Sequence, residues 1–126
     1  MKRARIIVVA VLLVGLGAAG AWAHEEHGEG GQQALTGEVV DVVCYLSHGP
    51  SGLGKDHAGC AQKCIKNGLP VALKVGDQLY LLANADHTPA NAKLADLAAK
   101  QVTVHGTVLE RDGQHLLVVS SVEESR

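Results

Sequence analysis

Two pairs of aliphatic runs constrain this chain most. QVTVHGTVLE and HLLVVSSVEE lie either side of an Arg-Asp-Gly-Gln stretch, and VALKV and QLYLLA lie either side of Gly76-Asp77. Runs rich in Val and Leu, bounded by Gly and Asp, form strands, and a two-residue polar turn between such runs makes a hairpin. LTGEVVDVVCYL has the same β-branched character and reads as a first strand, giving five in all.

Two helical stretches separate them. KDHAGCAQKCIKNG has Asp56 as a candidate N-cap, Lys63 and Lys66 toward its C-terminal end, and a stop at Asn67-Gly68 before Pro70. HTPANAKLADLAAK has Pro89 near its start and places Leu94, Leu97 and Ala98 on one face. The expected class is therefore mainly β (α+β). Its element order, with a helical insertion after the first strand and a helix between the third and fourth, resembles the oligonucleotide/oligosaccharide-binding (OB) fold, a five-stranded Greek-key barrel. The resemblance rests on TGEVVDVVC and on VTVHGTVLERDGQHLLVVSSVE, where Gly106 suits a bending barrel strand. It implies a fold and no ligand.

The N-terminus carries a different signal. MKRARIIVVAVLLVGLGAAGAWA combines a basic start at Lys2, Arg3 and Arg5, an apolar run, and Ala21-Trp22-Ala23. That is the pattern of a secretory signal peptide spanning residues 1–23, cleaved before His24. The alternative is an uncleaved membrane anchor, against which stand the glycines at 15, 17 and 20 and the cleavage-type triplet. Residues 24–34 are polar and Gly-rich, a pattern of disorder, and residues 35–126 form the expected domain. Cleavage leaves 103 residues with eight Lys and Arg against thirteen Asp and Glu, a net charge of −5. Of the aromatic residues, only Tyr45 and Tyr80 then remain. Nucleic-acid binding needs phosphate neutralisation and stacking faces, so this composition argues against it. The expected location is the periplasm or the exterior, with no stable membrane association once the signal is removed. The expected partners are a metal ion or another exported protein.

All three cysteines fall within CYLSHGPSGLGKDHAGCAQKC, with His48 and His57. His57, Cys60 and Cys64 have the i, i+3, i+7 spacing of one helical stripe. Cys44 at the end of the first strand, and His48 in the Gly-rich connection, can fold back onto that stripe. Thiolate and imidazole suit zinc or copper, and four of the five donors complete a tetrahedral site. The competing reading is a disulfide joining Cys44 to Cys60 or Cys64, because thiols within reach of each other oxidise outside the cytoplasm. A third is thiol–disulfide exchange, with Cys60 activated near its helix start. Cys44, Tyr45, His48, His57, Cys60, Ala61, Cys64, Gly68 and Pro70 together resemble a segment of small exported bacterial proteins. The C-x-x-x-C with a nearby histidine is also similar to Sco-type copper-delivery proteins, but those carry a proline after the second cysteine where this chain has Ile65.

The other histidines have simpler expectations. His24 and His27 belong to the leader, although His24 as a mature N-terminus can chelate Cu(II). His87 is a turn residue, His105 lies on the face opposite Val102 and Val104, and His115 begins the last strand without an evident partner. No catalytic constellation stands out. The sequence points to an exported metal-binding protein handling copper or holding structural zinc, with a disulfide-stapled interaction or ligand-binding module and a thiol redox protein as alternatives.

Overall fold

The computed structural model describes residues 31–125. The expected signal peptide, with His24 and His27, lies outside the described residues. Within them, no helix is long and apolar enough to cross a membrane.

Five strands carry the structure: β1 (Gln32–Asp41), β2 (Val71–Val75), β3 (Gln78–Asn84), β4 (Gln101–Arg111) and β5 (Gln114–Glu124). Their pairing order is β1-β2-β3-β5-β4, and β1 also pairs with β4, so the sheet closes on itself. All neighbours are antiparallel except β3 and β5. Three short helices decorate it: α1 (Val42–His48), α2 (Ala58–Lys66) and α3 (Asn91–Leu94).

Both hairpins arise where the turn residues require them. Gly76 has φ 53°, while Asp112 and Gly113 have φ 51° and 76°. These left-handed conformations suit the strand twist across a two-residue connection. Closure of the sheet relies on two close approaches. A Cβ on Gly37 would lie 2.2 Å from the Lys74 carbonyl oxygen, and one on Gly106 would lie 2.1 Å from that of Val118. A register shift falls between His105 and Gly106, so the bend expected at this glycine is a β-bulge.

Alternation along the strands directs Val39, Leu73, Leu82, Val102, Val104, Leu117 and Val119 into the core. Ala61 and Ile65 of α2 and Leu94 of α3 join them. Burying each Leu, Ile or Val contributes about 1.5–3 kcal/mol, which must offset the ordering of a chain with few aromatics.

Four expectations are corrected. The first strand was expected to run through Cys44 to Leu46, but it stops at Asp41 and VVCYLSH coils into α1. Asp41 causes the change: its side chain accepts the Cys44 backbone N–H and caps the new helix, overriding the strand preference of Val42, Val43 and Tyr45. The strand also begins at Gln32, inside the stretch assigned to the leader, because Gln32 through Ala34 pair with Thr107 through His105.

Asp56 does not cap α2. It lies in a 3-10 turn, Lys55–His57, and the α-helix starts at Ala58. The second predicted helix shrinks to α3 and a 3-10 turn at Ala95–Leu97, although Leu94 and Ala98 face the core as expected. The predicted stop of α2 does form. Gly68 takes φ 93°, and the Gly68 and Leu69 amides donate to the carbonyls of Ile65 and Cys64, a Schellman ending.

Candidate metal centre

The insertion between β1 and β2 consists of α1, two 3-10 turns (Gly49–Gly52 and Lys55–His57) and α2. It is held to the sheet at several points. The Val42 amide donates to the Pro70 carbonyl at 3.0 Å, which ties the start of α1 to the start of β2. The Gly54 amide donates to Glu38 Oε1 at 2.7 Å, which fixes the connection just before His57. Asn91 donates to the carbonyls of Ile65 and Leu69, both at 2.8 Å, and Lys66 pairs with Asp96 at 2.8 Å. The Gly-rich connection is thus anchored, and Gly52 packs directly on α1. A Cβ there would lie 2.9 Å from both the Cys44 carbonyl oxygen and the Tyr45 Cα.

This packing brings Cys44 of α1 near His57 of the 3-10 turn and the two cysteines of α2. Ligand atoms of Cys44, His57 and Cys60 all lie within 4.8 Å of one another, and so do those of Asp41, Cys44 and Cys64. Cys44 belongs to both groups. These donors are close enough to hold a metal ion. The three thiols are free, with none at disulfide-bonding distance from another.

Exposure grades across the cluster. Cys60 is exposed, Cys44, His57 and Cys64 are partly buried, and Asp41 is fully buried. Two polar atoms are buried with no hydrogen-bond partner: His57 Nε2 and Asp41 Oδ2. Leaving such atoms unpaired costs about 1–3 kcal/mol each, and more for a charged group. Burial pushes the Cys44 thiol up to about 12, with the Asp41 carboxylate and the neighbouring thiols adding to the rise. Burial also raises Cys64, against an opposing hydrogen bond with Cys44. Without a cation, the cluster therefore keeps these protons. A bound ion reverses that balance, because it replaces the proton on each ligating thiol.

Of the five expected ligands, Cys44, His57, Cys60 and Cys64 come together, although Cys44 arrives on a helix and not at a strand end. His48 does not join them. It ends α1, exposed and outside both groups, with its carbonyl accepting from Ser51 Oγ at 2.8 Å. The expected fold-back of a flexible loop is replaced by an ordered 3-10 turn at Gly49–Gly52. Asp41 is the residue that sequence reasoning missed. Its signal was an acid inside the apolar run VVDVV, three positions before a cysteine.

The remaining histidines lie elsewhere. His87 occupies a turn with φ 64°. His105 is on the outer face beside Glu123 at 3.7 Å. His115 has partners after all, with Glu110 at 3.6 Å and the Tyr80 ring centroid at 5.4 Å. The chain matches no protein-family model, no curated protein and no solved structure.

Proposed function

We propose that this is an exported metal-binding protein whose Cys/His cluster takes a thiophilic ion, with zinc and copper the fitting candidates. The observation that carries the reading is His57 Nε2, buried without a hydrogen-bond partner while its ring stands in one group with the thiols of Cys44 and Cys60. A disulfide requires no such nitrogen. Two thiolates and an imidazole suit Zn(II), or copper as Cu(I), and exposed Cys60 gives an ion a way in and out. Metal handling therefore fits the cluster better than a sealed structural site. The N-terminal signal pattern supports export, and the ring of strand pairings with its helical insertion supports an OB-like Greek-key arrangement. The protein's residues would supply binding, with Cys44, Cys60 and Cys64 as thiolates and His57 as the neutral nitrogen donor. The test is metal stoichiometry in the wild type and in His57→Ala: the reading requires bound ion in the first and less in the second.

A second reading is favoured by a separate surface. Leu46 of α1 is 69% exposed and borders a groove of about 440 Å³ with Tyr45, Leu79 and His115. In that reading the module binds an exported partner or small ligand, with its cysteines as a staple. Silent substitution of His57, together with a lowered Tm on Cys44→Ser, would favour it.

A further inference from the structure

Asp41, Cys44, His57, Cys60 and Cys64 do not form a single group. They make two groups of three that share only Cys44. An ion bound at about 2.0–2.3 Å to each ligand holds its ligand atoms within about 4.6 Å of one another. Donors spread over two overlapping groups therefore leave room for two ion positions side by side. Each group also contains a residue with an orphan atom: His57, whose buried Nε2 has no partner, in the outer group, and the buried Asp41, whose Oδ2 has none, in the inner group.

Charge balance is compatible with two ions. With all three thiols ionised, the cluster holds three thiolates and one carboxylate, four negative charges in all. One divalent ion neutralises two of those charges while unligated thiols keep their protons, whereas two divalent ions let all three thiols ionise beside the buried carboxylate with no net charge left over. Unpaired buried charge is strongly unfavourable. No Lys or Arg pairs with Asp41 among the described residues.

We propose, resting on the metal-binding reading above, that the cluster takes two divalent thiophilic ions bridged by the Cys44 thiolate. His57 Nε2 and Cys60 Sγ complete the outer position, and Asp41 and Cys64 Sγ complete the inner one. Each ion then has three protein donors and an open place for water or an exchanging ligand. Loading releases three protons, one from each thiol. The inner carboxylate favours a divalent ion such as Zn(II) over Cu(I), since oxygen donors suit harder ions. Exchange would proceed through the outer position, where Cys60 is exposed.

The test is titration of the reduced full chain with Co(II), followed by thiolate-to-cobalt charge-transfer absorbance, with native mass spectrometry of the Zn(II)-loaded form. The absorbance excludes histidine sites elsewhere on the surface. The expected end-point is two ions in the wild type and one in Asp41→Asn. Asparagine keeps an oxygen to cap α1, and circular dichroism confirms the fold; Cys64→Ser is the second variant and also drops the end-point to one. A wild-type end-point of one, or two ions retained in both inner variants, overturns the pair while leaving the metal-binding reading intact. No absorbance and no zinc adduct overturns that reading as well.

Discussion

The Asp41 carboxylate accepts the backbone N–H of Cys44 at 2.5 Å, and a carboxylate oxygen also stands within 4.8 Å of the Cys44 thiol. One side chain thereby ends β1, starts α1 and contributes charge to the cluster. Fold and site are coupled at this residue.

That coupling separates two substitutions. Asp41→Ala removes the cap and is expected to lower the stability of the metal-free protein by about 1 kcal/mol. Asp41→Asn keeps the cap and removes a buried charge without a counterion, so the metal-free Tm should be at least that of the wild type. Its gain in Tm on adding zinc should be smaller. Thermal melts with and without zinc check both statements.

The Cys44 thiol sets a pH dependence of the metal-free protein. Its folded value of about 12 exceeds the ordinary value of 9.0 expected for the unfolded chain, through burial first and the Asp41 carboxylate second. The folded state therefore binds this proton more tightly. The resulting stability is fully present below about pH 9 and is lost as pH rises from there toward 12. Denaturant melts across that window should show the decline, and Cys44→Ser should flatten it.

Gly52 is packed against the Cys44 and Tyr45 backbone, with no room for a methyl group. Gly52→Ala should displace α1, cost about 1–3 kcal/mol and weaken metal affinity, although residue 52 is no ligand. Gly49→Ala, where nothing lies within 4 Å but φ is 60°, is the control: it strains the turn locally and leaves the cluster in place. Competition titration against a chelator distinguishes the two.

Closure of the sheet can be tested away from the cluster. Gly106→Ala puts a methyl group against the Val118 carbonyl and should destabilise the protein by about 3 kcal/mol through separation of β4 and β5. Metal stoichiometry of the remaining folded protein should be unchanged. Urea melts and zinc counting on the same sample measure both.

Legibility of the sequence varied with how local the governing interaction is. Gly76-Asp77, Asp112-Gly113 and the Asn67-Gly68 stop were readable because the residues themselves set the backbone angles. Cys60 and Cys64 lie one turn apart on α2, as their spacing suggested, whereas His57 ends the 3-10 turn before that helix. Helix α1 was not readable, because Val42, Val43 and Tyr45 favour strands and only the Asp41 cap, with contacts from Gly52 and Pro70, makes the segment helical. His48 and Asp41 followed from that one error. A continuing strand and a loose loop allow His48 to fold back, whereas the observed helix brings Asp41 to the thiols and leaves His48 in solvent.

The most direct measurement is native mass spectrometry of the protein, purified without chelator or added metal. The account predicts a metal adduct, lighter by the displaced thiol protons than the sum of chain and ion, and diminished in His57→Ala. A bare chain two hydrogens light, with one alkylatable thiol and no uptake of zinc or copper after reduction, would contradict it.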